Sequence, residues 1–489
     1  MPLNSERIQH LLLAAPLSAG EGVTLQQQLY LRVRQAVLSG KLSAGTRLPS
    51  TRQLACELQV SRNTVINAWM QLQAEGYLVS DRQGSRISPV ALPVSPPVVT
   101  RADRIPVAAR VAALRSSHRL NSAEMPLRAG VPALAHFPFA AWRRALNGIL
   151  NLNPQRFLGY GDPTGEPALR EALAQYLSLT RGVRCQPQQI VVTEGAQQAL
   201  SLCVTLLSNP GEIAWVEEPG YRGAKAAMHA GDLQVKPVAV DEQGLAPEPD
   251  LWRDASPRLI YTTPSHQYPT GAVMSVARRL ALIAAAHQHQ AWIIEDDYDG
   301  EFRHAGEPVA AMQGMTPDAP VIYLGSLSKT LFPALRLGFM VLPSGLMEML
   351  RPSLHELLRG GNRLEQQTLA RFIAKGDFSR HISKMRRLYR QRQQMLRREL
   401  RQALGEQITL MGGECGMHLV LALNDDVDDA ALAAALWQAG YAPAALSGFY
   451  LGEKPTRGLV LGYGNTGHAQ MIAGVQQIHR LMRLKQCRL

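Results

Sequence analysis

Cysteine is scarce in this chain and never closely paired. Five residues (Cys56, Cys185, Cys203, Cys415 and Cys487), odd in number, scattered and without a CxxC pair, argue against a disulfide framework and a zinc site. A reduced, cytoplasmic protein with no metal is expected. Long hydrophobic runs are missing as well. The longest early one, residues 11–17, is broken by Pro16 and follows Glu6 and Arg7, so it has neither the length nor the charge bias of a leader or a membrane span. No membrane association is expected. Nor is the composition that of a disordered chain: hydrophobic residues make up 46% and charged residues 18%, so most of the chain should fold.

At 489 residues the sequence exceeds one ordinary domain and leaves room for a small unit beside a large one. The net charge of +12 is unevenly spread, because residues 1–120 hold 14 Lys and Arg against 6 Asp and Glu. That imbalance suits a segment facing nucleic acid, although a solvated basic surface has the same composition.

From Thr24 the stretch TLQQQLYLRVRQAVLSG opens on a capping box, Thr24 with Gln27, and repeats Leu25, Leu29, Val33 and Val37 every four residues before Gly40. Ser50 and Gln53 open a second, shorter helix with Leu54, Ala55 and Leu58 inward. Ser61 caps a third, in which Val65, Ala68, Trp69 and Leu72 form the inward stripe and Arg62, Asn63 and Asn67 point out. Two strand-like runs follow, joined through Arg82, Gln83 and Gly84. This is the order of a winged helix-turn-helix. Outward Arg62, Asn63 and Thr64 at one helix start can reach base edges, while Arg47, Ser50, Thr51 and Arg52 at another can hold phosphate. The run AGTRLPSTRQLACELQVSRNTVINAWMQLQAEGYL resembles the DNA-binding domain of the GntR family of bacterial regulators. The resemblance implies operator DNA as partner and Arg47, Ser50, Arg52, Arg62, Asn63, Thr64, Arg82 and Gly84 as contacts. The domain is placed at residues 22–90.

Residues 91–124 combine Pro93, Pro96, Pro97 and Pro106 with Arg101, Arg104, Arg110, Arg115 and Arg119, and read as an extended basic linker. From 125 to 485, helical stretches alternate with short apolar strands such as IVVTEG, LIYTTP, AWIIEDDYD and VIYLGSLSK. That alternation predicts an α/β domain with a mostly parallel sheet whose ligands sit at the carboxyl ends of the strands.

The polar residues at those strand ends form a set. Asp296 ends an apolar run, where a carboxylate needs a cation, and a pyridinium nitrogen is one. Ser326, Ser328 and Lys329 end another strand and suit a Schiff-base lysine beside a phosphate, with Arg336 as a fixed positive fork. Gly195, Ala196 and Gln197 open a helix whose free N–H groups can cradle a phosphate. Tyr221 can stack on an aromatic ring. Singly, each has a plain structural reading as surface lysine, helix cap, turn or core residue. Together with GYGDPTGEPALREAL, YTTPSHQYPTG, EDDYDGEF and SLSKTLFPALRLGF they resemble the fold-type I, class I aminotransferases, which use pyridoxal 5'-phosphate (PLP).

That resemblance implies Lys329 as the residue forming the internal aldimine, Asp296 opposite the pyridine nitrogen, Tyr298 on the ring hydroxyl and Tyr221 stacked on the ring. It places Gly195, Ala196, Gln197, Ser326, Ser328 and Arg336 on the phosphate, Tyr160 as a residue supplied by the second subunit of a homodimer, and Arg457 on an effector carboxylate. One departure stands out. Where the enzymes carry Asn before Pro-Thr-Gly this chain has Tyr268, preceded by Ser265, His266 and Gln267, and PSHQ before PTG resembles the MocR/GabR branch of GntR regulators. His266 is read as a structural residue, and the basic helix RHISKMRRLYRQRQQML as a solvated or subunit-facing surface. A regulator that senses an amine, an amino acid or PLP is expected, with a half-reaction but no steady-state turnover. Two alternatives stay open: a working aminotransferase with a DNA-binding appendage, and a DNA-binding protein that uses the fold only to dimerise.

Overall fold

Three serine and threonine caps set the first elements. In a computed structural model, which describes residues 12–13, 16–17, 22–81, 84–89, 106–114, 125–152, 154–304, 306, 309–406, 408–452 and 455–486, Thr24 Oγ1 accepts the Gln27 N–H and starts the helix Leu25–Leu38. Ser50 does the same for Thr51–Glu57 and Ser61 for Arg62–Ala74. The box at Ser50 is half made: the Gln53 side chain turns forward and donates to the Glu57 carboxylate one turn on. Val65, Ala68, Trp69 and Leu72 are all buried, as their spacing requires, and pack with Leu29, Val33, Val37 and Leu54 in one core. Strand β1 (Leu78–Asp81) pairs antiparallel with β2 (Gly84–Ile87) to make the wing. Arg82 and Gln83 lie outside the described residues.

The chain divides into two compact units, residues 1–108 and 109–489. Within the span read as linker, Ala109–Ala112 forms a 3-10 turn in the larger unit. Arg110 there pairs with Asp232 at 2.9 Å and donates to the Ala230 carbonyl. One linker arginine therefore serves to dock the chain.

In the larger unit, runs of apolar residues make central strands buried on both faces, while β5 towards the sheet edge is largely exposed. They are β3 (Ile190–Thr193), β4 (Ile213–Glu218), β5 (Gln234–Asp241), β6 (Gly244–Leu245), β7 (Leu259–Thr262), β8 (Trp292–Asp297), β9 (Val321–Ser326) and β10 (Gly338–Val341). Among the described residues they form an eight-stranded sheet in the order β3-β10-β9-β8-β7-β4-β5-β6. The strands from β9 to β5 run parallel, while β10 lies antiparallel between β3 and β9. A second sheet, absent from the sequence reading, contains β11 (Leu410–Met411), β12 (His418–Ala422), β13 (Ala444–Ala445) and β14 (Gly458–Gly462). Leu127 bridges to Gly462, and a Cβ on Gly462 would lie 2.0 Å from the Arg128 carbonyl oxygen. Glycine there lets residues 127–130 cross close to the end of β14.

The basic helix Asp377–Leu404 is amphipathic, with Phe378, Ile382, Met385, Tyr389, Leu396 and Leu400 in the core. Some of its arginines secure neighbouring backbone, as Arg386 does at the Glu301 carbonyl. Among the described residues no helix is long and apolar enough to cross a membrane.

Candidate functional site

The carboxyl ends of β8 and β9, paired so that Asp296 stands opposite Leu324, carry the central residues. Ser326 caps the short helix Leu327–Thr330, which sets Lys329 directly beyond the strand. Its Nζ donates to the Gly130 carbonyl at 2.6 Å, on the segment pinned against β14. Burial lowers the lysine's pKa, against the raising effect of the Asp299 and Asp296 carboxylates. Asp296 Oδ2 accepts from the Tyr261 hydroxyl at 2.7 Å, whereas its Oδ1 is buried with no hydrogen-bond partner. Burial pushes this acid up to about 7. A carboxylate with a bare buried oxygen is incomplete without a donor or a cation.

Gly195 begins the helix Ala196–Leu207 at φ +89°, and a Cβ there would meet nothing within 4 Å, so the space over the helix start is open. Gly338 on β10 allows the close approach, since a Cβ on it would come within 2.8 Å of Gly195 Cα. The Gln197 side chain is spent on the Gly223 carbonyl at 3.0 Å, leaving backbone N–H groups as the ligands this turn can offer. Ser326 Oγ accepts from the Ser328 N–H, and Arg336 is exposed in the left-handed region at φ +51°. Burial pushes Tyr221 up to about 12, and the nearby positive charge of Arg336 opposes that rise. The Tyr221 ring lies between those of Tyr261 and Tyr268, with centroids 6.4 Å and 6.1 Å away.

The turn after β7 is fastened from beneath. Glu217, wholly buried on β4, accepts from Thr262, Thr263 and Gln267, and Gln267 also holds the Pro219 carbonyl and the Thr270 hydroxyl. This network fixes Tyr268 and His266 on either side of Gln267. The Tyr298 hydroxyl lies 2.9 Å from His266 Nδ1, which in turn lies 2.8 Å from Asp299.

A cavity of about 540 Å³ opens beside Tyr221 and Tyr268. Alanines 430, 433, 434, 442, 444 and 445 leave it wide, and Trp437 and Phe449 give it apolar wall. Arg128 and Arg222 line it, and sequence reasoning assigned neither. Arg222 lies over the Phe449 ring and donates to the Gly448 carbonyl. Arg457 stands just behind the cavity wall: its guanidinium donates at 3.4 Å to Asp429, a fully buried acid that also takes the Gly458 N–H and Ser447, and Ser447 lines the cavity. Tyr160 is 96% exposed.

In the smaller unit Arg47, Ser50, Arg52, Arg62, Asn63 and Gly84 are exposed and Thr64 is half-buried. Arg62 Nε reaches Thr51 Oγ1 at 3.5 Å, so the starts of the second and third helices adjoin. The Arg47 guanidinium lies beside Gly84 on the wing, which has φ +117°. The helix starts and the wing base thus carry six exposed residues of the set that the sequence singled out, Thr64 being half-buried and Arg82 outside the described residues.

Comparison with known proteins matches residues 25–87 to the gntR family of bacterial regulatory proteins and residues 123–459 to aminotransferase class I and II. The chain is 37% identical over 466 residues, 93% of each chain, to the probable rhizopine catabolism regulatory protein MocR of Rhizobium meliloti. It is 31% identical over 92% of its length, and 94% of the relative's, to the pyridoxine biosynthesis transcriptional regulator PdxR of Corynebacterium glutamicum. The chain belongs to the MocR/GabR type of GntR transcription regulators. The larger unit of this regulator has the aminotransferase fold: a kynurenine aminotransferase from Pyrococcus horikoshii superposes with a TM-score of 0.71 over 79% of this chain and 98% of the other, at 25% identity.

The residues present in the regulator fit PLP. The bare Asp296 oxygen suits a protonated ring nitrogen, the open helix start at Gly195 suits a phosphate, and Lys329 lies buried within the field of the Asp299 and Asp296 carboxylates. Of the functional candidates not assigned from sequence, Arg128, Asp299 and His266, the last read as structural, sit in turns and loops, and Arg222 opens the helix Arg222–Ala230. No periodicity marks such positions, and only the proximity created by folding singles them out.

Proposed function

We propose that this regulator holds PLP on Lys329 and reads an amine effector through it, coupling that event to operator binding by the winged helix. The observation that carries the reading is Asp296, buried with one carboxylate oxygen unpartnered. Bound there, the cofactor supplies an electron-withdrawing ring and an aldehyde carbon that forms imines with amines. Asp296 keeps the ring nitrogen protonated, Tyr221 covers one ring face, and Tyr298 donates to the ring oxygen. Backbone N–H groups at Gly195, Ala196 and Gln197, with Ser326, Ser328 and Arg336, hold the phosphate. An effector amine would take the place of the Lys329 amine, which would be freed, with the effector's body in the alanine-lined cavity and its carboxylate on Arg457. An amino acid meets both requirements and a simple amine the first, while PLP itself is a candidate effector as the ligand that Lys329 takes; relatives named for rhizopine catabolism and for pyridoxine biosynthesis support that range.

Operator contacts fall to Arg47, Ser50, Arg52, Arg62, Asn63, Thr64, Arg82 and Gly84, which places the protein's work in the cytoplasm. A homodimer completes the site through Tyr160 of a second copy. The exposed apolar side chains Phe139, Leu152 and Leu158, on the same stretch of chain as Tyr160, support such an interface. Tyr268 in place of the enzymes' Asn favours a half-reaction over steady turnover. The effector must prefer one arrangement of the protein, and that arrangement must differ in DNA affinity.

The test is Lys329→Ala. The variant is expected to lose the visible absorbance of the lysine-linked cofactor and its response to amines while still binding operator DNA in a gel shift. An unchanged visible band in the variant overturns the assignment.

A further inference from the structure

His266 and Asp299 stand behind Tyr298 with no part in the reading above. Both are almost wholly buried, and the fold keeps space for them. A Cβ on Gly416 would come within 2.2 Å of His266 Cε1 and 2.4 Å of Asp299 Oδ2, and one on Gly271 within 3.4 Å of His266 Nε2. The same His266 Nδ1 lies 2.8 Å from Asp299 Oδ1 and 2.9 Å from the Tyr298 hydroxyl.

Chemistry fixes the hydrogens. An ionised carboxylate only accepts, so a ring nitrogen 2.8 Å from Asp299 carries a hydrogen and directs it there. Nδ1 then has no lone pair to offer Tyr298, whose O–H must find its acceptor elsewhere. Nε2, which makes no hydrogen bond, is left as a bare lone pair and not as a stranded donor.

We propose that His266 and Asp299 are a positioning pair: by holding hydrogen on Nδ1 they deny Tyr298 an acceptor inside the protein and turn its hydroxyl into a donor toward the ring oxygen of bound PLP. This rests on the cofactor reading of the site. Donation to that oxygen stabilises its negative charge and lowers the affinity of the neighbouring imine nitrogen for a proton. The pair therefore sets the pH at which the Lys329-linked cofactor changes its absorbance.

The groups facing the imidazole are Tyr298, Asp299, Cys415 and His418, with Tyr268 and His304 beyond them. Burial pushes His304 and His418 down to about 4 and holds Cys415, Tyr268 and Tyr298 well above neutrality, so these groups keep a fixed charge through the neutral range. Asp296 faces the ring nitrogen, and a pyridinium there holds it ionised.

The experiment is a pH titration of the visible absorbance of the full-length protein loaded with PLP. In Asp299→Asn the neutral amide no longer holds the hydrogen on Nδ1; once that hydrogen moves to Nε2, the single Nδ1 lone pair is open to the Tyr298 hydroxyl. Its midpoint should rise by about one to two pH units, as should that of Tyr298→Phe, while the double variant rises no further than Tyr298→Phe alone. His266→Asn, whose amide nitrogen can stand where Nδ1 stands, should keep the parent midpoint, and His266→Gln should raise it. This second contrast leaves Asp299 intact and serves if Asp299→Asn does not fold. An unmoved midpoint in both Asp299→Asn and His266→Gln, or additive shifts in the double variant, overturns the pair alone. A parent protein with no visible band overturns the cofactor reading and the pair with it.

Discussion

Asp296 shows at the residue scale what a binding site costs before it is filled. Its unfolded counterpart ionises near 3.9, whereas in the cofactor-free fold burial holds it near about 7. Between those values the folded protein retains a proton that the unfolded chain has released, so this residue's contribution makes stability fall as pH rises from about 4 to about 7. The cost above pH 7 is at most about 4 kcal/mol. Cofactor-free Asp296→Asn should therefore lose much of the stability difference between pH 5 and pH 8, measured by urea unfolding of the larger unit, while binding PLP more weakly. Glu301, also raised to about 7 by burial, contributes equally to both proteins. A pH difference unaltered by the substitution would mean that Asp296 ionises freely in the fold. The burial of Asp296 at a strand end was legible in the sequence, because it closes an apolar run. The Tyr261 hydroxyl that takes its other oxygen was not, since 35 residues separate the two and only the pairing of β7 with β8 brings them together.

At the scale of elements, helix starts do most of the work in both units. In the smaller unit the second and third capped helices present Arg52 and Arg62 at exposed positions, Arg47 is exposed on the turn before them, bridged to the wing at Arg86, and arginines that neutralise phosphates act through counterion release. Arg47→Ala and Arg52→Ala should each weaken binding to any duplex and lower the slope of log affinity against log salt by about one. Fluorescence anisotropy across a salt series checks this, and a loss confined to one operator sequence would reassign the residue to base reading. These caps were readable because capping is local, set by a side chain and a backbone N–H three residues apart. The small sheet of β11 to β14 escaped the sequence reading for the opposite reason. Two of its strands are two residues long, too short for alternation to register, and their pairing is fixed by partners far along the chain.

For the whole molecule, the smaller unit packs around its own core of Leu29, Val33, Leu54, Val65, Trp69 and Leu72. A ligand of the larger unit should stabilise that unit alone. Calorimetry should show two transitions, with PLP at a hundred times its dissociation constant raising only the larger unit's stability, by about 2.7 kcal/mol. A joint shift of both transitions would instead show the units unfolding together, and a rigid coupling between effector and DNA sites.

The sequence by itself determined the two-unit organisation, the winged helix and the α/β class of the larger unit, and it singled out Lys329 and Asp296 as candidates by residue type and strand-end position. Those features are local: caps, periodicities and short motifs encode them within a few residues. The tertiary structure alone decided what surrounds them. It placed Gly130 under the lysine, Arg128 and Arg222 on the cavity wall, Arg457 against Asp429, and His266 with Asp299 behind Tyr298. The physical reason is the same in each case. Hydrogen bonds and charges act over a few ångströms of space, and the chain brings these groups that close only after strands and loops remote in sequence have packed together.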